Sequence, residues 1–100
     1  MTASIQWRQG LTLPLDPDAD RLYTVDCTEW FGADAVIDTY SVTPETGITV
    51  GYTAADGLLI GFKVSGLAAG AKAGVTVRVT TAGVVPETDD RTIYFEGRER

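Results

Sequence analysis

Three aspartates stand at alternate positions near the start of this sequence: Asp16, Asp18 and Asp20. An EF-hand calcium loop has carboxylates at positions 1, 3 and 5, a glycine at position 6 and a glutamate at position 12. Counted from Asp16, the last two positions hold Arg21 and Cys27. Arginine brings a cation to the point where the loop must bend, and a thiol does not chelate calcium. We therefore expect a turn that leads into a strand, without a metal.

Side chains that could carry out catalysis are scarce. The chain has no histidine, which excludes Ser-His-Asp and Cys-His arrangements and zinc sites that use histidine. The single cysteine, Cys27, excludes an internal disulfide. It shares a predicted strand face with Tyr23 and Val25, which favours a buried inert thiol over a nucleophile. Nothing marks one pair among the 14 acidic residues as a glycosidase pair, so we expect no enzyme, no cofactor and no metal.

A second acidic spot is the segment Thr88-Asp89-Asp90-Arg91. A cation site there would need further ligands, such as those of the Asp16 stretch. We favour a solvated loop in which Asp89 or Asp90 pairs with Arg91.

The charge balance indicates which classes of partner to expect. Eight basic residues are scattered among 14 acidic ones, and the net charge is -6. A nucleic-acid-binding protein concentrates Lys and Arg to neutralise phosphates, so nucleic acid is not expected as a partner. No apolar run approaches the roughly 18–20 residues that span a bilayer, and the first residues do not resemble a secretory signal. A membrane is therefore not expected as a partner either.

Alternation of apolar and polar residues predicts short β-strands and almost no helix. The segment 58–65, for example, would place Ile60, Phe62 and Val64 on one face. The predicted strands are residues 5–13 (interrupted at Gly10), 22–27, 35–42, 48–53, 58–65, 75–81 and 91–96.

Turn residues separate these predicted strands. Asp56-Gly57 is a hairpin signal, Pro44 and Gly47 suit a turn, and 66–74 and 82–90 are predicted loops. About seven short strands in 100 residues predict an all-β fold, an immunoglobulin-like antiparallel β-sandwich that lacks the disulfide and strand-C tryptophan of antibody domains. We expect this domain over residues 14–100, preceded by an N-terminal arm or edge strand, residues 1–13.

One helical turn interrupts the strand pattern. Asp26 or Thr28 can cap a turn that ends at Gly32. Trp30 and Phe31 would then either close one end of the sandwich or form an exposed aromatic anchor for a partner.

The apolar residues of the N-terminal segment are also candidates for contact with a partner. They either pair as an edge strand within the domain or complete the sheet of a neighbouring subunit. Together with the two aromatic residues of the helical turn, the candidate partner-binding residues are Ile5, Trp7, Leu11, Leu13, Trp30 and Phe31.

Several short motifs follow one another in an order that resembles a known family. They are Asp16-Pro17, Tyr23, Asp26, Trp30, Gly32, Asp34, Ser65-Gly66, Thr80-Thr81-Ala82-Gly83 and Asp90-Arg91-Thr92-Ile93. In this order and spacing the chain is similar to small virion proteins of tailed phages, described as fibre-tail adaptors or tail-associated structural proteins with an immunoglobulin-like sandwich. Departures from the family pattern are Cys27, Phe31, Leu67, Val75 and the longer turn Val84-Val85-Pro86-Glu87-Thr88.

The resemblance implies a non-enzymatic structural protein of the virion that joins the tail or neck to a fibre or to a neighbouring tail protein. Its partners would be other phage structural proteins, with multiple copies around a symmetric tail, after synthesis in the host cytoplasm. Loops 28–34, 66–74 and 82–90 would supply contacts. The alternative is a carbohydrate-binding or adhesin-type sandwich that contacts a host surface through aromatic residues, with the candidates Trp7, Trp30, Tyr40 and Tyr52.

Overall fold

Eight β-strands and one short helix make up most of the computed structural model, which describes residues 4–98. The strands are β1 (Ser4–Gln6), β2 (Thr12–Leu15), β3 (Asp20–Asp26), β4 (Ile37–Pro44), β5 (Thr49–Asp56), β6 (Leu59–Ser65), β7 (Lys72–Thr81) and β8 (Thr88–Gly97), and the helix is α1 (Thr28–Phe31). The start of the predicted N-terminal segment, residues 1–3, lies outside the described residues, as do residues 99 and 100. Within residues 4–98, no helix is long and apolar enough to cross a membrane.

The strands form two four-stranded sheets with the order β1-β3-β6-β5 and β2-β8-β7-β4. The strand order corresponds to that of an immunoglobulin domain. In the first sheet, β3, β6 and β5 correspond to strands B, E and D. In the second sheet, β4, β7 and β8 correspond to strands C, F and G. The predicted all-β, immunoglobulin-like sandwich is confirmed.

The N-terminal segment contributes a strand to each sheet, which makes eight strands instead of about seven. The single strand predicted over residues 5–13 is thus two strands separated by a turn at Gly10, where a φ of 83° suits glycine. β1 pairs with β3, and β2 pairs with β8. Both pairings are parallel, so the sandwich is not wholly antiparallel. Alternation alone shows where a strand can form but not which sheet it joins.

Two strands begin three residues earlier than predicted, β7 at Lys72 and β8 at Thr88. The loops shorten accordingly, to residues 66–71 and 82–87. The segments Lys72-Ala73-Gly74 and Thr88-Asp89-Asp90 have low strand propensity and indicate loops. In the fold they form a regular ladder between β7 and β8, because each gains a paired neighbour that the local sequence does not reveal.

Alternate residues of the central strands fill the space between the sheets. Val75, Val77 and Val79 of β7 are fully buried, and the rings of Phe62 and Phe95 meet edge to face with centroids 6.4 Å apart. The predicted inward faces of these strands are therefore the core faces. This core supports the connections at the two ends of the sandwich.

Candidate interaction site at one end of the sandwich

Four connections gather at one end of the sandwich, which we call the α1 end. They are the β1–β2 connection at 7–11, residues 27–36 with α1, the β5–β6 turn at 57–58, and the β7–β8 loop at 82–87. They meet because Asp26 at the end of β3 lies opposite Leu59 at the start of β6, while Ile37 at the start of β4 lies opposite Thr81 at the end of β7. In immunoglobulin variable domains, the binding loops cluster at one end in the same way. The loop 66–71 lies at the opposite end.

The helix α1 is held in place by hydrogen bonds to Asp26. Its carboxylate accepts the Thr28 hydroxyl at 2.6 Å, the Thr28 backbone N–H at 2.9 Å and the Gln6 side-chain amide at 2.9 Å. These bonds, the Thr28 hydroxyl first, hold the pKa of Asp26 below its ordinary value. The helix ends at Gly32, whose φ is 99°. The predicted single turn is present, but neither Asp26 nor Thr28 is its N-cap: that position is Cys27, which makes no side-chain cap hydrogen bond.

Two tryptophans at the α1 end share one arginine. The Arg91 guanidinium lies 4.8 Å from the Trp7 ring and 4.8 Å from the Trp30 ring. The Trp7 indole N–H also donates to the backbone carbonyl of Thr92 at 2.9 Å. Both rings are half-buried and pack against the core. The aromatic residues thus close this end of the sandwich while part of each ring remains in contact with solvent.

The structure brings together three of the six candidate residues and adds one that the sequence did not indicate. Trp7 and Trp30 meet through Arg91, and the ring of Phe31 lies 6.4 Å from that of Trp30. Sequence reasoning assigned Arg91 only to an ion pair, and the pair with Asp89 is present at 3.3 Å. Its contact with the two rings was missed. No local sequence pattern indicates this contact, because the β1–β2 connection, α1 and β8 meet only in the folded chain.

The loop 82–87 carries apolar side chains at its tip. Val84 is 100% exposed and Val85 is 80% exposed. The base of the loop is tied by backbone hydrogen bonds of 2.8 Å, from Ala82 to the carbonyl of Val36 and from Thr81 to that of Glu87. The α1 end therefore presents valines on a loop whose base is anchored.

The thiol of Cys27 lies beneath α1 and is fully buried. Burial raises the pKa of the thiol to about 12, and the neighbouring Asp26 carboxylate adds to the rise, while Arg91 opposes it. A thiol that stays protonated and buried is a poor nucleophile. This supports the interpretation of Cys27 as a structural residue.

The sequence model of a protein family described as "Podophage GP4 fiber-tail adaptor protein gp77" matches residues 15–96. The chain belongs to this family of fibre-tail adaptors. Membership supports a structural adaptor role in the virion tail, as the order of motifs predicted. No curated protein matches the sequence. The match includes α1 and the loop 82–87 but begins at residue 15, after Ile5, Trp7, Leu11 and Leu13, four of the six candidate residues.

The other three candidate residues of the adaptor belong to β1, β2 and the connection between them. Ile5, Leu11 and Leu13 are half-buried and pack against the core. Leu13 also lines an open groove of about 580 Å³ between β2 and β3, together with Pro14, Asp16, Arg21 and Tyr23. Each of Ile5, Leu11 and Leu13 is therefore only partly accessible to a partner.

The acidic stretch of the adaptor forms the turn between β2 and β3. The Asp16 carboxylate accepts the Asp18 N–H and the Asp16 carbonyl accepts the Ala19 N–H, both at 2.9 Å. Asp20 pairs with Lys63 at 3.2 Å. In the described part of the chain, no three acidic or cysteine side chains form a group suited to a metal ion. The stretch carries the chain from one sheet to the other.

Proposed function

We propose that this adaptor joins the tail or neck of the particle to a fibre or to a neighbouring tail protein, through apolar contacts at its α1 end. The exposure of Val84 and Val85 carries the proposal. Adjacent, nearly fully exposed valines at an anchored tip gain free energy when a partner covers them, about 1.5–3 kcal/mol for each. A loop tied at its base also loses little conformational entropy on docking.

The role of the six candidate residues follows from their packing. We place Trp30 and Phe31 in the contact itself, because both remain half-exposed at the same end of the sandwich as the loop 82–87, which we call the valine loop. We place Ile5, Trp7, Leu11 and Leu13 as its support, with β1 and β2 acting as edge strands of their own sandwich. The indole hydrogen bond of Trp7 to β8 supports this assignment.

Contact without catalysis is the mode of action we propose. The chain has no histidine, and its one thiol is buried with a raised pKa. The net charge of -6 favours protein partners over nucleic acid, whose phosphates it would repel. A tail is symmetric about its axis, so we propose several copies around it.

The test measures binding to particles assembled without this protein. The double variant Val84→Ser, Val85→Ser should keep the melting temperature, because exposed side chains contribute little to stability. Its co-sedimentation with the particles should fall at least about tenfold, since burial of the two valines is lost. The matched control is Tyr94→Ser, which removes a partly exposed apolar side chain from the outer face of β8. Unchanged co-sedimentation of the double variant would show that the valine loop makes no contact.

A further inference from the structure

The edge of β5 is less protected against pairing than the other sheet edges. Natural sheets protect their edges with short strands, prolines, charges or bulges. Among the described residues, β1 is three residues long, β2 contains Pro14, and β4 has an irregularity next to Asp38 and ends at Pro44. β5 has an irregularity between Val50 and Tyr52, and then runs regularly to Asp56 without proline and without charge until that residue.

An apolar depression lies beside this edge on the outer face of the sheet. Its floor is Gly61, which has no side chain, and its walls include Leu22, Tyr52 and Leu59. These three side chains are 38–54% exposed, and the depression has a volume of about 240 Å³. It is large enough for one apolar side chain.

A second depression lies on the other side of the same edge, in the seam between the sheets. It has a volume of about 300 Å³ and is lined by Val36, Ile37, Tyr40, Ala55 and Gly57, with Asp38 at its border. Ala55 lines both depressions. Four of the seven exposed large hydrophobic side chains of the described residues line one depression or the other: Leu22, Val36, Tyr52 and Leu59.

This arrangement suits a strand added to the edge. Successive side chains of a strand point to opposite faces, so a strand paired with β5 would place one side chain over the outer depression and the next one in the seam. Backbone hydrogen bonds provide affinity in such complexes, and pockets for alternate side chains provide specificity. The regular segment from Tyr52 to Asp56 is about 17 Å long at roughly 3.4 Å per residue, which allows several such bonds.

The charges indicate the chemistry of the added strand. The charged residues that line the two depressions are Asp38 and Asp56, and both are acidic. Lys63, opposite Tyr52 in the ladder, is already paired with Asp20 at 3.2 Å. A second copy of this chain would bring the same two carboxylates and a further charge of -6 to the contact. A segment that carries Lys or Arg would instead be attracted.

We propose that β5 receives an extended segment of another particle protein, with apolar residues at alternate positions and Lys or Arg facing Asp38 and Asp56. This inference rests on the proposed adaptor function and names a second contact, distinct from the valine loop. An adaptor that joins two proteins needs two surfaces, and this edge would supply the second one.

Substitutions at the edge test the proposal in the co-sedimentation assay. Ala55→Lys should reduce binding at least about tenfold, because it places a charge where a strand would cover it. Asp56→Asn removes a charge but keeps the turn preference, since Asn-Gly also forms this type of hairpin. Loss of the carboxylate should weaken binding by up to about fivefold, most clearly at low salt. The matched control is Ser41→Lys, which adds the same charge to the exposed face of β4, and melting curves verify the fold of each variant.

A photo-reactive amino acid at position 55 identifies the bound segment. In particles that carry the variant, we expect a cross-link to a stretch of a different protein with alternating apolar residues and at least one Lys or Arg. A cross-link to another copy of this chain, or none, would overturn the proposal, as would normal binding of Ala55→Lys. Absence of wild-type protein from the particles would instead contradict the adaptor function itself, so the two failures are distinguishable.

Discussion

The arrangement of Arg91 between the rings of Trp7 and Trp30 leads to a prediction about the free energy of unfolding. Arg91→Met removes the guanidinium but keeps an unbranched apolar stem. Each cation–π contact contributes about 0.5–1 kcal/mol at an exposed site and about 2 when desolvated. The Arg91 side chain is 26% exposed, which places each contact near 1 kcal/mol. The ion pair to Asp89, 41% exposed, adds less than about 1 kcal/mol.

The expected loss is therefore about 2–3 kcal/mol of unfolding free energy, or a decrease of at least about 8 °C in melting temperature for a domain of this size. Urea denaturation followed by fluorescence measures it directly, because the chain has two tryptophans and both flank the guanidinium. Emission should shift to the red as water reaches the rings. Asp89→Asn isolates the ion pair and should cost less than about 1 kcal/mol.

A double-mutant cycle decides between stacking and simple packing. Arg91→Met and Trp30→Leu, alone and together, should show a coupling of about 1 kcal/mol if the cation and the ring interact. Additive losses, or an Asp89→Asn variant as unstable as Arg91→Met, would refute the view that the two rings hold the arginine.

Three further predictions concern the stability of the fold at both ends of the sandwich. Asp26→Ala should cost about 1 kcal/mol at neutral pH, because the hydrogen bonds that its carboxylate accepts from Thr28 and Gln6 are lost. Because the folded-state pKa of Asp26 is lowered, this difference should fade as the pH drops below about 4. A difference that is constant with pH would contradict this prediction. Because the pKa of Cys27 is raised to about 12, the free energy of unfolding should decline as the pH rises above about 9. The variant Cys27→Ala should remove this pH dependence. Rapid labelling of the native thiol at pH 8 would count against its burial. Gly97→Ala should lower the free energy of unfolding in urea by about 2 kcal/mol or more, because the added Cβ would collide with the backbone of Ala68. The control is Gly51→Ala, since nothing lies within 4 Å of a Cβ at that position. Equal stability of the two variants would exclude the collision.

Some features of the fold could be predicted from local patterns. Alternation in 58–65 and 75–81 predicted the buried faces of β6 and β7, since a strand with one buried face requires a period of two. The Asp56-Gly57 signal predicted the β5–β6 hairpin, and Asp26 with Gly32 predicted the helical turn. Each signal depends on residues that are neighbours in the chain.

Other features could not be predicted in this way. The division of residues 5–13 between two sheets depends on pairing with β3 and β8, which are distant in sequence. The role of Arg91 depends on two rings that reach it from other elements. That β5 lies at an edge, and that this edge is less protected than the others, is visible only when the strand order is known. The sequence of a strand does not show whether it lies at the edge or in the centre of a sheet.

The sequence by itself determined that the chain forms a sandwich of short strands, that it lacks the side chains of common catalytic sites, and to which family it is similar. These follow from residue type and short-range periodicity. The tertiary structure alone decided which aromatic residues meet, which apolar residues remain exposed and which strand has a free edge. Those properties arise from contacts between distant segments, which the order of residues along the chain does not specify.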